Sequence, residues 1–234
     1  MTIEQAAKDG DIDAVRKQLE EGRSVDMNWD APIHWSARNG HEKVVELLLE
    51  HGATPNARKG RVLSTAAGRR HTRVVKVLLE YGADPNRDEN TLLWAVQYGN
   101  LEIVRLLLIY GANPNVRGGL PINLAVGKGD TRVVKTLLEY GADPKNIEDE
   151  RFLWAVKQGH VDIVKILLKH GANPNMKDGS SLGIALRKEN TDMVKVLLEH
   201  GADINMSKSM LYWAVRHGNA EIREVLTRFG VFPQ

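Results

Sequence analysis

The sequence predicts an all-α solenoid, which is a stack of helix pairs joined by tight turns. A glycine recurs every 29 or 30 residues along the 234-residue chain, each time after an apolar segment: Gly22, Gly52, Gly82, Gly111, Gly141, Gly171, Gly201 and Gly230. The segments between these glycines share one pattern from end to end. A repeat of this length buries its apolar face only by stacking on its neighbours. We therefore expect function to lie on an extended surface and not in an enclosed pocket.

Residues 150–179 illustrate how one unit is built. Apolar residues at helical spacing predict the inner face of a short first helix: Phe152, Ala155 and Val156. After a turn glycine, the second helix begins at an Asp, Asn or His, and Asp and Asn are residues that cap free backbone N–H groups. The second helix carries a wide apolar face: Ile163, Val164, Ile166, Leu167 and Leu168. Gly171 is expected to end it in the left-handed conformation, and Pro174 prevents its continuation.

Two short motifs recur in these units. Residues 40–53 contain Gly-His followed by Val-Val-Glu-Leu-Leu-Leu-Glu-His-Gly-Ala, while residues 31–34 and 120–123 read Ala-Pro-Ile-His and Leu-Pro-Ile-Asn. The first motif is similar to the second helix of the ankyrin repeat, and the other two resemble its Thr-Pro-Leu-His signature. The resemblance covers the whole chain. It also extends to short ankyrin arrays from large DNA viruses and intracellular microbes.

The resemblance implies one ankyrin-repeat array over residues 1–234, built from about eight helix–turn–helix units. Ankyrin units usually have about 33 residues, so the β-fingers that connect the units here should be shortened. Polar residues replace apolar ones on the second helix of the first and last units, as capping units require, so we expect a complete array. The expected units are 1–30 (N-terminal cap), 31–60, 61–89, 90–119, 120–149, 150–179, 180–208 and 209–234 (C-terminal cap).

Composition narrows the class of protein further. The absence of cysteine excludes disulfides, thiolate nucleophiles and Cys-bearing zinc sites. The first residues lack the basic start and apolar core of a secretory signal, and no apolar run approaches the ~18 residues of a membrane span. No protease zinc motif, Gly-x-Ser-x-Gly elbow or phosphate-binding loop occurs. We expect a cytoplasmic, monomeric protein that is not an enzyme, uses no cofactor or metal and does not contact a membrane.

A second period of two units lies on top of the first. Tryptophan occupies the same position of the first helix in every other unit, at intervals of 59, 60 and 59 residues: Trp35, Trp94, Trp154 and Trp213. Two explanations fit these tryptophans. They pack against the neighbouring helix, or they lie along a concave wall and anchor a partner, as tryptophan commonly does at hot spots. Trp29, in the first finger, is likewise open to packing or to a binding edge.

The two residues that precede each turn between the helices form a basic stripe. In ankyrin folds these positions face the groove, and here they hold one acidic residue, Asp9, and eight basic ones: Lys8, Arg38, Arg69, Lys128, Lys157, Arg187, Lys188 and Arg216. Tyr98 occupies one of the remaining positions. The formal net charge of the chain is only +2, so the rest of the chain sums to about −5. The stripe is explained either by cations that complement a helix C-terminus, worth ~0.3–1 kcal/mol each, or by a groove for an acidic partner.

The residues therefore favour a non-enzymatic protein-interaction scaffold, the function that the resemblance also implies. Its partner would carry acidic groups and would lie in the concave groove against the stripe and the tryptophans, with salt-sensitive association. The alternative is binding of nucleic acid or another polyphosphate by the same cations and the Trp and Tyr side chains. Acidic residues in the fingers oppose this alternative: Asp88, Glu89, Glu148, Asp149 and Glu150.

Overall fold

A computed structural model describes residues 1–25, 27–98 and 100–230, with the side chains of residues 27–29 outside this description. The described residues form α-helices and turns and contain no β-strand, which agrees with the expected all-α class and the shortened fingers. The chain forms two compact units, Met1–Arg117 and Gly118–Gln234. The question that the sequence left open for Trp29 falls on a side chain outside the described part.

The unit Met1–Arg117 contains four helix pairs, each made of a first helix and a nine-residue second helix. In chain order the helices are α1 (Ile3–Asp9), α2 (Ile12–Glu20), α3 (Met27–Asn39), α4 (Glu42–Glu50), α5 (Arg61–Gly68), α6 (Thr72–Glu80), α7 (Asn90–Gln97) and α8 (Leu101–Ile109). The first helices pack on one another in the order α1, α3, α5 and α7, and the second helices do the same. This is the stacking that the glycine period predicts.

The unit Gly118–Gln234 repeats this arrangement in its described residues. Its helices are α9 (Val116–Lys128), which begins two residues before the division between the units, α10 (Thr131–Glu139), α11 (Asp149–Gln158), α12 (Val161–Lys169), α13 (Met176–Arg187), α14 (Thr191–Glu199), α15 (Lys208–His217) and α16 (Ala220–Arg228). Helix α13 packs between α11 and α15, and α14 packs between α12 and α16. Short 3-10 turns stand in three of the fingers, at Ala57–Gly60, Pro144–Asn146 and Ile204–Ser207.

The ends of the second helices follow the predicted rules. Five of them begin with a side-chain cap, in which a carboxylate or amide oxygen accepts a hydrogen bond from the backbone N–H three residues further on. The capping residues are Asp11, Asn100, Asp130, Asn190 and Asn219. All eight periodic glycines have φ between +76° and +96°, the left-handed region that a side chain disfavours. The capping and glycine predictions are confirmed.

The core of each unit lies between the helix layers. The apolar faces of the second helices are buried, as shown by Val74, Val75 and Leu78 of α6, and Phe152 of α11 is completely buried. At the ends of the chain, Lys17 and Arg223 are exposed at positions that are apolar in the type unit. The buried face of each pair is therefore completed by its neighbours.

Asparagine side chains connect the successive fingers. The amide of Asn86 donates to the carbonyl of Gly111 at 2.8 Å, and its oxygen accepts from the backbone N–H of Asn113 at 2.7 Å. Asn56 makes the same two bonds to Gly82 and Asp84. Each amide thus replaces the strand pairing that a longer finger would supply, because it satisfies one donor and one acceptor of the next finger.

Alternate fingers contain a left-handed turn. Three consecutive residues have positive φ at Arg58–Gly60 and again at Lys177–Gly179, and the same occurs at 117–119. The basic residue of the turn reaches an acidic residue of the preceding finger, as in the ion pairs Arg117–Glu89 and Lys177–Glu150. The two-unit period of the sequence therefore has a backbone counterpart in the fingers.

We predict that Asn86→Ala lowers the free energy of unfolding by roughly 1–3 kcal/mol, because a finger donor and acceptor each lose their partner. Asn205 is the matched control: it occupies the same position of the last finger, and its side-chain amide has no hydrogen-bond partner among the described residues. Asn205→Ala should change the free energy by no more than about 0.5 kcal/mol. Urea denaturation followed by circular dichroism compares the two, and equal losses would contradict the role of the amide.

Candidate partner-binding surface

In the unit Met1–Arg117 the stripe residues stand at the ends of adjacent first helices. Lys8 and Arg38 lie in the last turns of α1 and α3, while Arg69 and Tyr98 are the residues that directly follow α5 and α7. Because α1, α3, α5 and α7 pack in that order, the four residues occupy equivalent places in successive layers. Lys8, Arg69 and Tyr98 are exposed, and Arg38 is half-buried.

The backbone beneath these cations is held by the following helix pair. The ring Nε2 of His41 donates to the carbonyl of Lys8 at 3.0 Å, and that of His71 donates to the carbonyl of Arg38 at 3.0 Å. The histidines that begin second helices therefore satisfy carbonyl groups at the C-termini of first helices, where a helix has no donor of its own. The Lys8 and Arg38 side chains extend away from these carbonyls toward Trp35.

The four tryptophans have different surroundings. The Trp35 ring is covered by cations of its own chain, with Lys8 Nζ 5.1 Å and Arg38 Cζ 5.3 Å from the ring centroid. Trp154 and Trp213 lie next to histidines, with centroid distances of 5.1 Å to His160 and 5.9 Å to His217. Trp35 and Trp154 are half-buried, whereas Trp213 is 36% exposed.

Trp94 is the most exposed of the four tryptophans and lies beside an open depression. It stacks on Tyr98 with a centroid distance of 6.0 Å and an interplanar angle of 27°. Trp94 is 41% exposed and Tyr98 is 51% exposed. Both border a shallow depression of about 400 Å³ between α5 and α7, whose other lining residues are Ser64, Thr65, Gly68 and Arg69.

The unit Gly118–Gln234 carries the remaining stripe residues at the same helix ends. Lys128 ends α9, Lys157 and Arg187 lie in the last turns of α11 and α13, Lys188 follows α13, and Arg216 lies in the last turn of α15. All five are exposed. Arg216 is engaged locally, because its Nη1 donates to the Tyr212 hydroxyl at 3.1 Å. The expectation that the whole stripe shares one concave groove stays a prediction.

Several stripe cations have no acidic partner. Within residues 1–25, 27–98 and 100–230, no carboxylate lies at ion-pair distance from Arg69, Lys157, Arg187 or Lys188. Cations elsewhere on the surface do have such partners, for example Lys76 with Glu80 and Lys135 with Glu139 on second helices. Acidic groups of another molecule would therefore meet unpaired charges at the stripe.

The environment of His34 is not visible in the sequence. This side chain is buried, and its Nδ1 has no hydrogen-bond partner. Burial, followed by the positive charges of Arg58, Arg38 and Arg61, lowers the pKa of His34 to about 4. The ring is therefore neutral at pH 7. The sequence marks His34 only as the His of a motif that resembles Thr-Pro-Leu-His, because Arg58 and Arg61 approach the ring only in the fold.

The remaining chemistry of the described residues is sparse. They contain no group of three His, Asp or Glu side chains that could hold a metal ion. None of their helices is long and apolar enough to cross a membrane. The surface features in these residues are thus cations and exposed aromatic rings.

A repetitive stack of short helix pairs with variable residues at the ends of its first helices defines a helical repeat protein. The chain belongs to the ankyrin repeat family: a model described as "Ankyrin repeats (3 copies)" matches residues 3–89, 86–149 and 152–233. This confirms the family expected from the motifs. Ankyrin repeats generally mediate protein–protein interaction, and proteins built from them are typically not enzymes.

A solved structure agrees with this fold. The crystal structure of the ankyrin repeat domain of Bcl-3, described as a unique member of the IkappaB protein family, is similar with a TM-score of 0.67 and 24% sequence identity. The similarity covers 85% of this chain and 98% of that one. At this identity the likeness concerns the fold alone. No curated protein matches the sequence.

We predict that His34→Leu reduces the loss of stability in mild acid. His34 has a lower pKa in the folded chain than its ordinary value of about 6.5. Above pH 6.5 the ring is neutral in both the folded and the unfolded chain. As the pH falls from 6.5 to 4, the unfolded chain binds a proton that the folded chain does not, so the free energy of unfolding decreases. Leu93 and Leu153 occupy the same position in other pairs, so leucine suits it.

The measurement is the urea midpoint of unfolding at pH 7.5 and at pH 4.5. The difference between the two midpoints should be smaller in His34→Leu than in the original chain. His200→Gln is the control for the loss of a histidine, because the His200 ring directly follows α14 and hydrogen-bonds to the carbonyl of Val196 in that helix. An unchanged pH dependence in His34→Leu would contradict the assignment.

Proposed function

We propose that the chain is a protein-interaction scaffold whose partner presents acidic side chains to the basic stripe. The observation that carries the proposal is the set of exposed cations without acidic partners at equivalent helix ends, with Arg69, Lys157 and Arg187 as the clearest cases. Their backbone positions are fixed by the stack, so little ordering is needed before a partner binds. The proposed scaffold acts by binding its partner and not by catalysis.

The magnitude of the charge effect explains why several cations are needed. An exposed ion pair contributes only ~0.2–1 kcal/mol, so a single stripe residue could not hold a partner. A row of such pairs adds up, accelerates association and makes binding sensitive to salt. Trp94 and Tyr98 would supply the apolar contact that charges lack. A chain without cysteine suits the cytoplasm, where we propose that it acts as a monomer.

Binding of nucleic acid or another polyphosphate is the second candidate, favoured by the exposed ring pair Trp94–Tyr98 next to Arg69. Acidic groups oppose it. Asp88 stays ionised: burial alone would raise its pKa, but hydrogen bonds from Ser64 and Asn90, with the charge of Arg61, lower it. Its ionised carboxylate precedes the N-terminus of α7, in the finger, and would repel a phosphate backbone that crosses the fingers.

We predict that reversing four stripe charges, Arg38→Glu, Arg69→Glu, Lys157→Glu and Arg187→Glu, abolishes partner capture and leaves the helical circular dichroism intact. The matched control reverses four exposed cations of the second helices, Arg16→Glu, Lys43→Glu, Lys165→Glu and Lys195→Glu. It changes the net charge by the same amount and should retain the partner, because those residues lie away from the first-helix ends.

The measurement is affinity capture from a cell lysate at low and high salt, with and without nuclease, followed by identification of the retained molecules. Recovery of a defined acidic protein that resists nuclease and falls with salt agrees with the proposal. Nuclease-sensitive recovery would assign the stripe to nucleic acid instead. Equal loss in the stripe variant and in the control would show that only net charge matters.

A further inference from the structure

Neither the backbone conformation nor the packing requires a glycine at position 68. It lies in the last turn of α5 and is not among the residues with positive φ. A Cβ added there would meet Trp94 Cβ at 3.5 Å and Tyr98 Cε2 at 3.8 Å, which are ordinary contacts. Glycine within a helix costs ~0.5–1 kcal/mol relative to alanine. The absence of a side chain at Gly68 leaves the depression beside Trp94 and Tyr98 open.

Comparison with the other tryptophans shows what the missing side chain would do. Lys8 and Gly68 occupy the same position of their first helices, Lys8 in the unit before Trp35 and Gly68 in the unit before Trp94. Lys8 covers the Trp35 ring, whereas Gly68 leaves Trp94 uncovered. At Gly127, the equivalent glycine before Trp154, the Arg151 guanidinium lies 3.1 Å from the position of an added Cβ. The space beside Gly68 is thus open to another molecule.

We propose that the depression beside Gly68 receives a large apolar side chain of an acidic partner polypeptide, while Arg69 meets a carboxylate next to that side chain. The inference rests on the proposed scaffold function and specifies where the partner is anchored and by what chemistry. The two aromatic rings offer apolar surface, and Arg69 is the charged group that lines the depression.

The chemistry of the lining selects this occupant. A cationic side chain would suit the ring faces, but Arg69 would repel it. A nucleic-acid base could stack on an exposed face of this ring pair, but Trp94 and Tyr98 stack on each other and leave less ring surface for it. The Ser64 hydroxyl donates to the Asp88 carboxylate at 2.6 Å, so it has no proton left to donate to a polar ligand. An apolar side chain needs none.

The test uses four probes and the full chain. The probes are nine-residue peptides of glutamate and glycine with a central phenylalanine or a central alanine, the phenylalanine peptide with lysine in place of glutamate, and a thymidine oligonucleotide. The readout is the indole N–H signal of Trp94 in an NMR titration, assigned through Trp94→Phe. The acidic phenylalanine peptide should shift this signal and bind roughly tenfold more tightly than its alanine counterpart.

Gly68→Gln should remove that tenfold difference, because the new side chain fills the depression. Glutamine is a residue that the chain itself uses at this position, at Gln97, and it forms helices better than glycine, so the melting temperature should not fall. Gly127→Gln is the matched control at the equivalent position of the other unit and should bind like the original chain.

The following outcomes would contradict the anchor, and they differ in what they leave of the proposed scaffold function. Equal binding of the phenylalanine and alanine peptides, or an unchanged Trp94 shift in Gly68→Gln, removes the anchor. If the four stripe reversals still weaken the acidic peptides, the proposed scaffold function survives that result. A Trp94 shift caused by the lysine peptide or the oligonucleotide, and not by the acidic peptide, assigns the rings to a cation or to bases. Failure of every acidic peptide to bind contradicts both proposals.

Discussion

A pair of helices of seven to thirteen residues is too short to be stable alone in water and cannot bury its apolar face by itself. Within each compact unit, a layer therefore depends on its neighbours. Apolar contacts join the second helices of neighbouring layers. Hydrogen bonds join the layers at two other places: the His41 ring donates to the carbonyl of Lys8, and the Asn86 amide donates to the following finger. Stacking between neighbours fixes the orientation of every surface residue.

This constraint leaves the ends of the first helices available for recognition. Their carbonyl groups at Lys8 and Arg38 are satisfied by the next pair, so the side chains there are not needed to complete the fold. The chain varies these positions among eight residue types, which are lysine, arginine, glycine, glutamine, tyrosine, aspartate, asparagine and histidine, while it keeps the core apolar. Binding properties can therefore change from layer to layer at little cost in stability, as the contrast between covered Trp35 and open Trp94 shows.

Much of the candidate site could be predicted because its position in the unit is set by the period. Lys157 and Arg187 stand in the last turn of a first helix, as the spacing from the glycines requires. The different environments of the tryptophans could not be predicted, because each depends on a residue of the preceding unit. Gly68 did leave a signal in the sequence, a glycine at a position where six of the other seven units place lysine, arginine or glutamine, and its meaning depends on the space beside Trp94.

The sequence by itself determined the repeat, the ankyrin family, the ends of the second helices and the location of the cations, because these follow from local periodicity and from residues that act on their own backbone. The tertiary structure decided which side chains meet. It brought Arg58 and Arg61 to the buried His34, and it aligned acidic and basic residues of neighbouring fingers. Such contacts join residues about 24 to 33 positions apart, and their geometry depends on how one layer rests on the next.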